Sequence, residues 1–410
     1  MADPLAWLGP ALDGLEAAGL RRTLRHRRGP AGRTLDGLVN LSSNDYLGLA
    51  THPRVAAAAA DAARRWGAGS GASRLVTGST ALHRELETAL AGWKRTEAAV
   101  VFSSGYLANT GTIAALAGPG DLICSDALNH ASIVDGCRLS RAEVAVYPHG
   151  NVADLDRLLA AGRDARRRLV VTDGIFSMDG DAADVTAICD TAAEHDAMVM
   201  VDDAHGCGVV GPDGRGTAAA QGCADRVDVT MGTLSKAFGT AGGYVAGSVD
   251  LCDWLRNRAR GFVFDTAPPP AVAGAALESL AVSRDEPWRR AHARDLARRL
   301  ADALGLPEPA ACIVPLVIGE AQAAVEVSAA MERAGMLAIA IRPPSVPPGT
   351  ARLRLTVTAS HTVTDIESAA AALSAALASL RRSASRPTPP TARAGAASDT
   401  GDRFGTQQRA

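Results

Sequence analysis

The chain has 410 residues and a hydrophobic fraction of 47%, enough for a large core and at least two domains. Its 42 lysine and arginine residues nearly balance 44 aspartate and glutamate residues, and a net charge of -2 excludes the basic footprint of a protein that grips nucleic acid or an anionic membrane. Seven scattered cysteines, with no C-x-x-C pair and no histidines at zinc spacing, point to reduced thiols in a cytoplasm and away from a metal site. The opening M-A-D-P-L-A-W lacks a basic flank followed by an apolar block, and nowhere do about 18 apolar residues run together. A soluble, cytoplasmic protein with no membrane partner is expected.

In chain order, Leu5, Leu8, Leu12, Leu15 and Leu20 recur at helical spacing, predicting an amphipathic helix from Leu5 to Arg28 whose arginine-rich end is a solvated face. A short strand over Leu38–Leu41 leads into S-S-N-D-Y-L-G-L, where apolar and turn residues interleave as in a packed, specifically shaped loop. Gly67 to Thr80 is too rich in glycine for an element interior and reads as a long connecting loop of the kind that carries function. His83 to Trp93 resumes helical periodicity. From Ala98 to Ala117 the pattern is strand, Ser-Ser-Gly-Tyr turn, helix, and the free N–H groups of such a helix start suit a phosphate or an ordinary cap equally well.

Strands are then expected at Leu122–Ser125, Val144–Tyr147, Leu169–Thr172, Met198–Asp203 and Val227–Thr230, alternating with alanine-rich helices. Short apolar strands in that alternation imply a parallel sheet covered on both faces, with ligands at the carboxyl ends of its strands. Beyond Pro268-Pro269-Pro270 comes a long helical segment to about Leu304. Strands at Cys312–Ile318, Leu337–Ile341 and Ala351–Thr358 then suggest a smaller α+β unit, and the R-L-R-L-T-V-T alternation predicts that the last strand buries one face only. The expected divisions are an arm over 1–50, a large domain over 51–280, a small domain over 281–382, and a disordered tail over 383–410.

Only two of the 42 basic residues are lysines. Lys94, in A-G-W-K-R-T-E, reads as a solvated side chain. Lys236 follows an apolar run among small and hydroxyl residues, and a desolvated amine can form Schiff bases where arginine cannot. Asp202 at a strand end, His205 three residues on and Lys236 after the next strand are the parts a pyridoxal phosphate site needs. A carboxylate keeps a proton on the cofactor ring nitrogen, and the lysine supplies the covalent anchor. Thr233 and Ser235 offer hydroxyls to the phosphate, the Ser104–Tyr106 turn offers backbone donors, His130 could lie on the ring, and His205 or Ser177 could donate to its phenolic oxygen. In isolation each has a plainer reading, as a cap or an ordinary hydrogen-bonded residue.

The ordered set N-D-Y-L-G-L, G-A-G-S-G, F-S-S-G-Y-L-A-N, N-H-A-S, F-S-M-D-G-D, V-D-D-A-H-G, T-L-S-K-A-F-G and I-R-P-P-S-V-P resembles the pyridoxal-phosphate α-oxoamine synthases from about Leu12 through Leu380. The resemblance implies the fold-type I architecture, an α/β fold with a mostly parallel seven-stranded sheet, a smaller α+β C-terminal domain, and a homodimer with active sites at the subunit interface. It implies Lys236, Asp202, His205 and His130 as catalytic residues. Gly105, Tyr106, Ser177, Thr233 and, from across the interface, Thr266 would hold the cofactor, and Arg21, His130, Arg342 and Ser345 would contact substrate. D-D-A-H-G and I-R-P-P-S-V-P are similar to the biotin-pathway branch, which condenses L-alanine with a pimeloyl thioester of coenzyme A or of acyl carrier protein. Another α-oxoamine synthase, such as glycine C-acetyltransferase, and a non-catalytic cofactor-binding paralogue remain alternatives. Two departures stand out. Ser345 replaces a threonine but keeps its hydroxyl, and Asp265 stands where a neutral hydroxyl residue is usual, so that it either points away from the phosphate or weakens its binding.

Overall fold

The computed structural model describes residues 3–384. Its strands are β1 (Thr34–Leu35), β2 (Leu38–Asn40), β3 (Ala98–Phe102), β4 (Leu122–Asp126), β5 (Glu143–Tyr147), β6 (Arg168–Asp173), β7 (Met198–Asp202), β8 (Val229–Thr233), β9 (Gly243–Gly247), β10 (Ile313–Gly319), β11 (Met336–Leu337), β12 (Ala340–Ile341) and β13 (Ala351–Thr356). Seven of them form one sheet in the order β3-β9-β8-β7-β6-β4-β5. The pairs β8-β7, β7-β6, β6-β4 and β4-β5 are parallel, and β9 runs antiparallel to both of its neighbours.

The near-continuous apolar strands are buried on both faces. Ile123, Leu169, Val171 and Met200 point into one core with Ile113 and Ile133 of the helices above. Leu122, Cys124, Val170, Val199 and Val201 point into the opposite one with Leu155, Ile188 and Ala192. Each such side chain contributes roughly 1.5–3 kcal/mol on burial. Strand β8 begins and ends later than its apolar run suggests, because Gly232 and Thr233 pair with Tyr244 and Gly243 of β9. That extension carries Thr233 to the carboxyl end of the sheet. A side chain at Gly232 would stand 2.3 Å from the Tyr244 hydroxyl, so β9 can lie here only against glycine.

A third core holds β10, β13 and β12 against the helices Trp288–Leu304, Ala321–Arg333 and Val363–Ala384. The last helix is, over Val363–Arg382, long and apolar enough to cross a membrane by length and composition, yet Ile366, Ala369, Ala370, Leu373 and Ala376 are buried in this core. The tail expected from Ser383 lies, from residue 385 onward, outside the described residues.

Four expectations are corrected. The N-terminal helix spans only Leu8–Ala17, because Gly19 at φ 64° leaves helical space, and Leu5, Leu8, Leu12 and Leu15 are exposed. The long segment before Leu304 is two helices, Pro270–Asp285 and Trp288–Leu304, broken at Glu286-Pro287. The expected strand over Leu337–Ile341 is divided between β11 and β12, which belong to different sheets. Strand β13 is buried along its whole length rather than on one face. It is the central strand of its sheet, and its two arginines are packed against the loop Ser177–Asp179.

Candidate active site

Asp173, Asp202 and Thr233 are the last residues of β6, β7 and β8, so three adjacent parallel strands deliver their terminal side chains to one place. There they line a cavity of about 230 Å³ together with Ser104, Gly105, Tyr106, Asn109, His130, Ser132, His205, Ser235 and Lys236. Asp202 is buried and accepts hydrogen bonds from Asn109 Nδ2 at 2.6 Å and from Ala204 N at 2.9 Å. The turn after β7 brings His205 under Lys236, with Nε2 2.9 Å from Nζ. The other ring nitrogen, Nδ1, is 2.7 Å from the Tyr46 hydroxyl.

The electrostatics follow from this burial. Desolvation, with the charges of Lys236, Arg354 and His130 beside it, holds His205 well below the usual histidine range. The ring is therefore neutral and has one N–H to give. Desolvation also lowers the Lys236 ammonium, against the pull of Asp202 and Asp173. Nε2 faces Nζ and Nδ1 faces the Tyr46 hydroxyl, and the ring's one proton serves one of these two contacts. His130 is lowered too, by desolvation against Asp202, and its Nδ1 lies 2.7 Å from Ser132 Oγ.

The opposite end of the cavity is built for an anion. Ser104 caps the helix Gly105–Leu116 by accepting from Leu107 N at 3.1 Å, so the first N–H groups of that helix face the space. The helix start lies so close to the sheet that a Cβ on Gly243 would stand 2.6 Å from the Gly105 Cα. Thr233 Oγ1 donates to Gly242 O at 2.9 Å and lies 2.8 Å from Ser235 Oγ. A lysine amine at the side, a buried carboxylate, and hydroxyls with a helix N-terminus match the aldehyde, ring nitrogen and phosphate of pyridoxal phosphate. Asn109 Oδ1, buried in the cavity wall, has no hydrogen-bond partner among the described residues, which suits an absent ligand with a donor.

Several expected residues lie elsewhere. Ser177 does not line the cavity, and its main-chain carbonyl accepts from Arg354 Nε. Thr266 is bridged to Ser73, and its carbonyl accepts from Ser103 Oγ at 3.3 Å. Asp265 accepts from the same Ser103 hydroxyl, next to the cap of the phosphate-facing helix. Tyr106 reaches the cavity but sends its hydroxyl to Asp135. Arg21, Arg342 and Ser345 gather apart, where the N-terminal arm meets the loop after β12. Arg342 donates to Gly19 O, Arg22 donates to Ser345 Oγ at 3.1 Å, and Arg21 sits 3.7 Å from Glu16.

Lys94 is not solvated. It is 7% exposed, its Nζ donates to Arg215 O at 2.5 Å, and it stands 3.6 Å from Asp203 Oδ2, directly behind Asp202. The polar neighbours in sequence are misleading because Lys94 lies on the inward face of the helix Ala81–Lys94, with Leu90, Ala91 and Trp93. The Asp203 carboxylate it faces is enclosed by glycines. A Cβ on Gly206 would lie 2.1 Å from Oδ1, and one on Gly216 1.4 Å from Oδ2. Asp173, Asn109, Tyr46, Ser132 and Arg354 are further residues at or beside the site that the linear reading passed over. Tyr46 lies in the N-D-Y-L-G-L loop, Asn109 in F-S-S-G-Y-L-A-N, Ser132 in N-H-A-S and Arg354 in the alternating R-L-R-L-T-V-T, segments singled out without a role for these four residues.

The family described as aminotransferase class I and II matches residues 36–373. An 8-amino-7-oxononanoate synthase from Anaeromyxobacter dehalogenans is 51% identical over 92% of this chain and 96% of its own length. The enzyme of the same name from Mycobacterium sp. (strain JLS) is 49% identical over 92% and 98%. Among solved structures, a serine palmitoyltransferase from S. paucimobilis with bound PLP superposes with a TM-score of 0.87 at 32% identity, covering 93% of this chain and 100% of that one. With the family match spanning most of its length and half of its residues shared with these enzymes, the chain belongs to the pyridoxal-phosphate-dependent class I and II aminotransferase family, in its 8-amino-7-oxononanoate synthase branch.

Proposed function

We propose that Lys236 is the covalent anchor of pyridoxal phosphate and the proton carrier of a decarboxylative condensation of L-alanine with a pimeloyl thioester. The alanine Cα exchanges its bond to the carboxyl group for a bond to the acyl carbon, and the thiol and carbon dioxide leave. The observation that carries this reading is the 2.9 Å contact between Lys236 Nζ and a neutral, buried His205, in a cavity floored by Asp202.

When bound, the cofactor supplies an electron sink for the charge that develops at Cα. The chain does the rest. Asp202, fixed by Asn109 and Ala204, holds the proton of the ring nitrogen. Desolvation lowers the Lys236 ammonium below the ordinary lysine range, so the amine is readier to give back the Cα proton it takes. His205 orients Nζ, and His205 and His130 are the cavity residues that would meet the phenolic oxygen and the ring of the cofactor. The first N–H groups at Gly105 and Tyr106, together with Thr233, hold the phosphate.

The finer assignments are proposals as well. The chain acts as a homodimer in which Thr266 of one copy serves the phosphate site of the other. Arg21, Arg342 and Ser345, gathered on one side in the structure, meet the acyl donor. We place the enzyme in the cytoplasm, a reading supported by seven buried cysteines that are all free thiols.

The test is a panel of L-alanine, glycine and L-serine, each with pimeloyl-coenzyme A and pimeloyl-acyl carrier protein, read by product mass. The expected result is 8-amino-7-oxononanoate from L-alanine alone. A preference for glycine or serine would assign a different α-oxoamine synthase, and no product with any pair would make the chain a binder of the cofactor without catalysis.

A further inference from the structure

One wall residue of the cavity has no part in the scheme above. Asp173 ends β6, is 2% exposed, and pairs across the sheet with Asp202 at the end of β7, so that both carboxyls face the same space. Their surroundings differ. Asp202 accepts from two donors, Asn109 Nδ2 and Ala204 N. The Asp173 side chain accepts, among the described residues, from one, the His130 main-chain N–H at 2.8 Å. The main-chain N–H of Asp173 in turn donates to Asn129 Oδ1 at 2.9 Å. A reciprocal pair therefore ties the end of β6 to the Asn129-His130 turn. That turn is held a second time by Asn129 Nδ2, which donates to Val171 O and Ser125 Oγ.

Where two carboxyls face one buried pocket, the one with fewer donors is the one pushed toward its neutral form. We infer that Asp173 is a positioning residue that works as the neutral acid. It fixes the backbone of His130 over the cavity, beside the better-bonded Asp202 carboxyl. The groups that face Asp173 are Asp202 from β7, His130 from the turn after β4, Lys236 from the loop after β8, and Asp126 from β4. Burial first, then Asp202, pushes the Asp173 carboxyl well above its usual range, while the His130 N–H and Lys236 pull the other way.

This inference rests on the proposed roles of His130 and Lys236, and its test separates the two. The holoenzymes to compare are wild type, Asp173→Ala, Asp173→Asn, His130→Ala and the double variant Asp173→Ala/His130→Ala. The readouts are the equilibrium affinity for pyridoxal phosphate and the kcat and KM for L-alanine. Misplacing His130 is expected to lower kcat roughly 30-fold in Asp173→Ala. The double variant should then be no worse than His130→Ala by more than about twofold, the ordinary margin for independent sites. The near-isosteric Asp173→Asn, uncharged and still an acceptor, should recover most of that loss. Losses that multiply in the double variant, or an Asn variant as impaired as the Ala variant, would overturn the inference. Should Asp173→Ala not fold, the Asn variant decides alone, since a 30-fold defect in it means that the ionised carboxylate is required. Wild-type enzyme that turns over no L-alanine would instead sink the functional reading, and the cofactor-affinity cycle would still judge Asp173.

Discussion

Lys236 Nζ lies 2.9 Å from His205 Nε2, and the far side of that imidazole is 2.7 Å from the Tyr46 hydroxyl. Tyr46 in turn is 3.2 Å from Asn44 Oδ1 and 3.4 Å from Arg354 Nη2. The amine on which the chemistry depends is thus aligned through a chain of buried hydrogen bonds. That chain starts in the N-D-Y-L-G-L loop and in the arginine-bearing strand β13.

Replacing the amine removes both the covalent anchor and the proton carrier. Lys236→Ala is expected to lose at least about 1,000-fold in kcat, as removal of a covalent catalyst commonly does. Its circular dichroism and melting temperature should stay close to wild type, because the side chain borders a cavity. A variant of full activity would contradict the assignment.

Tyr46→Phe deletes the partner of His205 Nδ1 without changing the packing of the ring. Leaving a buried polar group unpaired costs about 1–3 kcal/mol. If half of that falls on the aligned amine, kcat drops about twofold to tenfold at unchanged stability of the cofactor complex. Steady-state kinetics check this, and an unchanged kcat would show that His205 does not need its second partner.

Behind the site, Lys94→Met strands the Asp203 carboxylate inside its ring of glycines. Breaking a buried pair on one side is expected to cost about 3–5 kcal/mol. Urea unfolding measures this directly. A loss below about 1 kcal/mol would mean that hydrogen bonds from Thr217 N and Oγ1, at 3.0 and 2.7 Å, are enough to hold Asp203.

His149 joins the turn after β5 to the loop after β6, at 3.0 Å from Asp126 and 2.9 Å from Asp181. Burial opposes its charge, but the two carboxylates outweigh burial and hold its pKa above the ordinary 6.5. A group raised in the folded state contributes stability that is complete below its unfolded value and is lost as pH rises through its folded value. The stability gap between wild type and His149→Gln should therefore be widest below pH 6.5 and should close in alkaline solution. A gap that grows with pH would reverse the sign and refute the pairing.

What was legible in the chain was what depends on neighbours in sequence. The apolar runs of β4, β6 and β7, with Asp202 at the end of β7, His205 just beyond it and Lys236 after β8, could be placed because a parallel strand puts its functional residues at its own carboxyl end. Partners far apart in sequence could not. Arg354 meets Ser177 and Arg352 meets Asp179 across more than 170 residues, so alternation alone made β13 look half solvated when its sheet and that loop enclose it. Lys94 was misjudged for the same reason, since its partner Asp203 lies on another element. Strand β9 stayed hidden because the glycines that let it approach Gly232 and Gly105 look like a turn in the linear chain.

Of the two lysines in the chain, Lys236 is the one proposed to join the cofactor aldehyde. Borohydride reduction of the holoenzyme, followed by proteolysis and peptide mass spectrometry, tests it most directly. A pyridoxyl mass is expected on the peptide that contains Lys236. The same mass on the Lys94 peptide, or none on either, would contradict it.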